Sequence, residues 1–196
     1  MRELNLLQGT YRRDFDRGYL ELREGWLHPE VYLNLIEELE YDLTQKTLTI
    51  YNKPTKLPRL TAWMGEGQYE YSGIVNKPAP WKPCTESIKD HIETQLGYSF
   101  NSVLFNFYRD GQDSISWHSD NEAGLGPTIA SISTGGERKF RLRHKTTGEK
   151  IDLQLRDGSL LIMHDMQADW EHCVPKTSKH VEPRLNLTFR TVKVDE

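Results

Sequence analysis

In Ser116-Trp-His-Ser-Asp120, one residue separates His118 from Asp120. Side chains two apart on an extended strand project from the same face. An imidazole and a carboxylate therefore stand together. A 2-His-1-carboxylate facial triad for non-haem Fe(II) needs such a pair and one distant histidine, and leaves positions open for cosubstrate and oxygen. The pair also fits a blander reading, a strand-end His bonded to a nearby Asp. Four later histidines could supply the third ligand: His144, His164, His172 and His180. Spacing does not choose between them, although His164 and His172 are best placed, just after a hydrophobic strand.

A second chemical pattern lies in Pro183-Arg-Leu-Asn-Leu-Thr-Phe-Arg190. As a strand, it puts Arg184, Asn186, Thr188 and Arg190 on one face and Leu185, Leu187 and Phe189 on the other. Two inward arginines are costly unless they meet anions, and a dicarboxylate answers that need through bidentate bonds. Six residues of strand span roughly 20 Å, so the arginine side chains must converge on one small acid. The alternative is a charged edge facing water. Asn106 and Tyr108 repeat the geometry in Leu104-Phe-Asn-Phe-Tyr108, with an amide and a hydroxyl able to bond carboxylate oxygens or backbone groups.

The elements that must position these groups are legible from period. Pro29 opens a helix whose stripe is Val31, Leu35, Leu39 and Leu43, with Tyr32 and Ile36 beside it and Glu37, Glu38 and Glu40 toward water. Ile88, Ile92 and Leu96 mark a second helix, with Glu86 near its start and Gly97 as its stop. Residues 1 to 18 carry no clear period; Tyr19–Arg23 alternates as a short strand. Thr47–Tyr51, a turn at Asn52–Lys56 and a return from Leu57 to Trp63 read as a hairpin. After Gly97 come Val103–Tyr108, Ile129–Ser133, Lys139–Arg143, Ile151–Leu155, Ser159–Met163 and Leu185–Phe189, short strands between Gly-rich or charged turns. This predicts an α+β, mainly β fold: a β-sandwich or jelly roll with both helices packed on one sheet.

The 196 residues suffice for one domain with a sizeable core. Residues 1–100 are expected to hold the helices and a lid, and 101–192 the jelly-roll core. The glycines of Gly65–Gly73 lack the spacing and the Lys-Ser/Thr of a phosphate loop, which excludes P-loop nucleotide hydrolysis. Leu160-Leu-Ile-Met163 is too short to span a bilayer, and the first residues lack a signal peptide's layout, so no membrane role and a cytoplasmic or, in a eukaryote, nuclear location are expected. Cys84 and Cys173 read as free thiols. The formal net charge is −4, yet Glu137 to Lys150 holds six Lys/Arg against two acids, either a phosphate track or a solvated sheet face.

Taken together, Asn106-Phe-Tyr-Arg109, Asp113–Asp120, Ile129–Ser133, Leu160–Met163, Gln167-Ala-Asp-Trp-Glu-His172 and Pro183–Arg190 closely resemble the AlkB family of Fe(II)/2-oxoglutarate dioxygenases. The resemblance covers roughly residues 57 to 192. Pro58-Arg-Leu-Thr-Ala-Trp63 and Tyr69-Glu-Tyr-Ser-Gly73 are most similar to the eukaryotic branch that repairs alkylated nucleic acid. It implies that His118, Asp120 and His172 bind Fe(II). It implies that Asn106 and Arg190 hold the carboxylate of 2-oxoglutarate nearer the iron, and Tyr108, Arg184 and Asn186 the far one. Tyr71 would stack on a flipped base, with Trp63, Tyr69 and Ser72 in the same lid. Glu122 would read the base edge if the His118 strand continues to it. The implied reaction is oxidative demethylation of 1-methyladenine and 3-methylcytosine in DNA or RNA, consuming O2 and 2-oxoglutarate and releasing succinate, carbon dioxide and formaldehyde. A single strand is favoured over a duplex, although a hairpin tip at Ile50-Tyr51-Asn52 could wedge a duplex open; the protein is expected to be a monomer. The rival readings are a dioxygenase of the same fold acting on a protein, lipid or small molecule, and a jelly-roll binding module without chemistry.

Overall fold

Alternation after Gly97 becomes strand, and the fourfold stripes become helix. A computed structural model describes residues 9–50, 53–66, 69–71, 74–76 and 78–193. The elements run β1 (Thr10–Asp14), β2 (Tyr19–Arg23), α1 (Val31–Leu39), β3 (Thr47–Ile50), β4 (Lys53–Lys56), β5 (Leu60–Gly65), β6 (Tyr69–Tyr71), β7 (Ile74–Asn76) and α2 (Pro83–Leu96). There follow β8 (Ser102–Tyr108), β9 (Ile115–His118), β10 (Thr128–Gly135), β11 (Arg138–His144), β12 (Lys150–Leu155), β13 (Ser159–His164), β14 (Trp170–Val174) and β15 (Arg184–Arg190).

A seven-stranded sheet in the order β1-β2-β13-β10-β15-β8-β5 faces a four-stranded sheet in the order β12-β11-β14-β9. This is the expected jelly roll. Three strands of the large sheet come from the first hundred residues, so that sheet reaches well beyond the 101–192 segment. All its pairings are antiparallel.

Each face of the large sheet has its own partner. Ala62, Met64, Val103, Phe105, Ala130, Ile132, Leu160, Ile162, Leu185, Leu187 and Phe189 pack against Leu35 and Leu39 of α1 and Ile88 and Ile92 of α2. On the other face, Leu20, Leu22, Tyr108, Ile129, Leu161 and Met163 meet Phe140, Leu142, Ile151, Leu155, Trp170 and Val174 of the small sheet. β15 lies between β10 and β8, and all seven of its residues are buried. Its odd positions serve the helix side, as expected, and its even positions serve the space between the sheets.

The helices start and stop near their signals. α2 begins at Pro83, a residue suited to a first helical position, and ends at Gly97 with φ +70, a left-handed cap that favours glycine. α1 is shorter than its stripe, so Leu43 packs from beyond the helix. Glu38 does not face water. Its carboxylate accepts from the Cys84 and Thr85 N–H groups at 2.7 and 3.1 Å and from the Thr85 hydroxyl at 2.6 Å. α1 thus caps α2, whose own N-cap residue Lys82 makes no capping bond and instead donates its ammonium to the Glu38 carbonyl and to Asp42.

Two expectations need correction. The Asn52–Lys56 turn is largely a strand: β4 pairs with β3 from Thr47↔Lys56 to Ile50↔Lys53, while β5 leaves to join β8. All four β4 residues are exposed, so Pro54 sits where strand proline is tolerated. The tip residues Tyr51 and Asn52 lie outside the described residues. β1 also arises where no period was visible, because its pairing with β2 is marked by charge, including the Arg12–Glu21 ion pair at 2.9 Å. Cys84 and Cys173 are free, and no helix among the described residues is long and apolar enough to cross a membrane.

Candidate active site

β9 and β14 are antiparallel neighbours, and their register sets His172 directly opposite His118. That cross-strand pairing singles out the third member of the cluster. The two rings lie 4.3 Å apart between centroids. Asp120, just past β9, places Oδ1 3.7 Å from His118 Nε2 and Oδ2 3.7 Å from His172 Nε2. One ligand atom from each of the three lies within 4.8 Å of the others, close enough to share an ion. His118 Nδ1–H donates to the Ser116 carbonyl at 2.8 Å, which turns Nε2 toward the cluster. His164 is elsewhere, bonded to Thr128 and stacked on Tyr19 and Tyr98.

Protonation states suit a metal. Burial alone would raise the Asp120 carboxyl, but Arg190, His172 and His118 together hold it down to about 2. Burial, reinforced by His118, holds the His172 imidazole down to about 3. At neutral pH the pair is a carboxylate and a neutral imidazole, the forms that bind metal. Two imidazole nitrogens and one carboxylate oxygen fit Fe(II).

The cluster borders an open cavity between the sheets, walled by β8 and β15. All four inward residues of β15 reach it, which excludes a charged edge facing water. Arg184 is 1% exposed; it donates to Ser133 Oγ at 2.7 Å, and its guanidinium lies 5.2 Å from the Tyr108 ring. Its Nε and Nη1 are buried without a hydrogen-bond partner. Burial lowers this guanidinium to about 10 against the opposing pull of Tyr108, so it stays cationic at pH 7. A buried cation with idle donors fits a carboxylate. Arg190, 4% exposed, donates to Asp120 Oδ2 at 2.6 Å. Asn186 has both amide hydrogens on β10, to Ser131 Oγ and the Ile132 carbonyl at 2.8 Å each, so it braces the wall.

The other sequence candidates are dispersed. β9 ends at His118, so Glu122 is not on its strand. Glu122 instead lines a second pocket beside Asp120, with Asn121, Asp165 and Gln167, and its Oε2 is buried without a hydrogen-bond partner. Trp63 is buried against Leu104, Leu125 and Val192. Tyr69 and Tyr71 fall on β6, which pairs with β7, but their side chains lie outside the described residues, as does all of Ser72. The basic stretch is largely committed to protein partners: Lys139 and Arg141 to Asp152, Arg143 to Glu171, and Lys145 to the Gln167 and Ala168 carbonyls. These pairings fit the alternating-charge sheet face. Sequence reasoning gave no role to Arg59, a cavity residue 4% exposed, although it lies within the Leu57–Trp63 segment and the Pro58–Trp63 motif.

Residues 20–190 match the 2OG-Fe(II) oxygenase superfamily. The chain is 42% identical over 194 residues to "Alpha-ketoglutarate-dependent dioxygenase alkB homolog 3" of Homo sapiens, covering 91% of this chain and 65% of that protein. It is 38% identical over 177 residues to "DNA oxidative demethylase ALKBH2" of Homo sapiens, covering 83% and 68%. The chain thus spans about two thirds of the length of these relatives. The solved structure of OsALKBH1 has the same fold, with a TM-score of 0.65 at 18% identity over 92% of this chain and 99% of that one. With its two histidines and carboxylate gathered on the cavity wall, and with these matches over most of its length, the chain belongs to the 2OG-Fe(II) oxygenase superfamily, within the AlkB family.

Proposed function

We propose that this chain is an oxidative demethylase that repairs N-alkylated bases, 1-methyladenine and 3-methylcytosine, in DNA or RNA. The observation that carries the proposal is the His118/Asp120/His172 cluster, its Asp120 and His172 buried, on one wall of a cavity that also holds the idle donors of Arg184. Relatives named as DNA oxidative demethylases support nucleic acid as the substrate class. When bound, Fe(II), 2-oxoglutarate and O2 supply the oxidation of an N-methyl group, yielding succinate, carbon dioxide and formaldehyde.

The chain's own residues do the positioning. His118, Asp120 and His172 would hold the metal. Arg184 and Tyr108 would take the far carboxylate of 2-oxoglutarate, and Asn106 and Arg190 the near one, with Arg190 also holding Asp120 in place. Asn186 supports this wall through Ser131. A paired base must leave the stack at a cost of a few kcal/mol, which stacking on Tyr71, at about 1–3 kcal/mol per base, would offset. Trp63, Tyr69 and Ser72 would contribute to base binding beside it, and Glu122, beside Asp120, would meet the base edge. The proposed substrate is single-stranded and the protein a monomer.

Mass spectrometry of methylated oligonucleotides, single- and double-stranded, after incubation with Fe(II), 2-oxoglutarate and air tests this. The expected result is loss of the methyl mass, faster on single strands, and no loss with His118→Ala or Asp120→Ala. Unchanged mass on every oligonucleotide, with succinate still formed slowly, would assign the chain to another substrate class.

A further inference from the structure

We propose that Arg59 is a positioning residue for the cosubstrate, acting through Asn106; the assignment rests on the 2-oxoglutarate-dependent reading above. Arg59 immediately precedes β5, the edge strand paired with β8, and is buried in the cavity wall. Its Nε–H donates to Asn106 Oδ1 at 2.7 Å, and Nη1 reaches the Ser114 carbonyl at 3.4 Å, just ahead of β9. One guanidinium therefore ties together β8, the segment leading to the iron-ligand strand, and the entry to β5.

The bond to Asn106 has a directional consequence. A guanidinium has only donors, so it accepts just one orientation of the Asn106 amide, with the carbonyl oxygen toward Arg59. The amide hydrogens are then left for the cavity, where an anion would meet them. The flipped amide would set donors against donors. The neighbouring amide cannot replace it, because Asn186, paired with Asn106 across β15 and β8, already has both hydrogens on β10.

Charge points the same way. The cavity is lined by three guanidinium groups, Arg59, Arg184 and Arg190, and one carboxylate, Asp120. Arg59 makes no ion pair with any described carboxylate. That leaves two cations in excess, and a bound metal ion adds to it. Buried cations in this number call for an anionic occupant, and a dicarboxylate brings two negative charges. Arg59 contributes to that field while fixing the donor beside it.

The test is calorimetry of 2-oxoglutarate binding to the full chain loaded with Mn(II), which supports cosubstrate binding without turnover, for wild type, Arg59→Gln and Arg59→Lys. Losing a charge-assisted hydrogen bond and a cavity charge should weaken binding on the order of tenfold or more in Arg59→Gln. Mn(II) affinity should stay within about twofold, since Arg59 touches no ligand of the cluster. Arg59→Lys keeps the charge without the planar fork and should fall between the two. In turnover, KM for 2-oxoglutarate should rise more than kcat falls. Wild-type 2-oxoglutarate affinity in Arg59→Gln overturns the proposal, as does an equal loss of Mn(II) and 2-oxoglutarate binding, which would mark a merely structural arginine. Should Arg59→Gln fail to fold, Arg59→Lys decides: a several-fold weaker 2-oxoglutarate Kd at unchanged Tm supports the assignment, and an unchanged Kd overturns it. A wild type that binds 2-oxoglutarate yet leaves methylated oligonucleotides intact refutes the repair reading and leaves the Arg59 assignment standing.

Discussion

Asp120 and His172 both sit in the fold with proton affinities below their ordinary values, about 2 against 3.8 and about 3 against 6.5. The unfolded chain therefore takes up protons on acidification before the native one does, and stability must fall as pH falls. For His172 the loss begins near pH 6.5 and continues toward 3; for Asp120 it begins near 3.8 and continues toward 2. Urea midpoints of the metal-free protein should decline between pH 7 and 4 through His172 and further below pH 4 through Asp120, each by up to about 1.4 kcal/mol per pH unit within its window. His172→Asn should flatten the slope between pH 6.5 and 4, and an unchanged slope would contradict burial and neighbouring charge as the origin of the depressed proton affinity. At this scale the sequence was partly legible. His118 and Asp120 announce themselves because strand alternation is local. His172 does not, since what selects it is the register of β14 against β9, a pairing across more than fifty residues of chain. Arg59 stands in a legible segment, but its role is not legible there, since its partner Asn106 is 47 positions away.

Among the elements, α1 and α2 are joined by the Glu38 carboxylate on one side and by Lys82, bonded to the Glu38 carbonyl and Asp42, on the other. Glu38 satisfies two backbone N–H groups at the start of α2 that would otherwise lack partners. Glu38→Ala should cost about 1–2 kcal/mol, the range of a lost helix cap, read as a shift in the urea midpoint; Glu38→Gln should retain part of it. No effect would mean that water replaces the cap. Both helices were visible because a fourfold stripe and a stop glycine suffice, but Glu38 looked like a solvated face because its partner is brought in by tertiary packing. β4 was hidden for the opposite reason. Lys-Pro-Thr-Lys has turn composition and no apolar residue, and it pairs only with β3 in a two-stranded ribbon.

Over the whole molecule, strand order departs from chain order. β15 is inserted between β10 and β8, and its Leu185, Leu187 and Phe189 are fully buried against the helix side while Arg184 and Arg190 reach the cavity. Leu187→Ala should destabilise by about 2–5 kcal/mol, as large-to-small changes in a packed core do. It should also lower 2-oxoglutarate affinity, because the same backbone carries the arginines; calorimetry on the folded fraction checks this. The jelly roll was legible from short strands at regular spacing, and the helices' place on one sheet from their stripes. The order of strands was not, because the pairing partner of a buried strand is decided by long-range packing.

The central seat of β15 orders events in time as well as in space. A ribosome making this chain delivers His118, Asp120 and His172 before Arg184 and Arg190, while β8 and β10 wait with open flanks. Until that strand slides home, the nascent cavity lacks the wall that carries both guanidinium groups, so triad and arginines meet only once the jelly roll is closed.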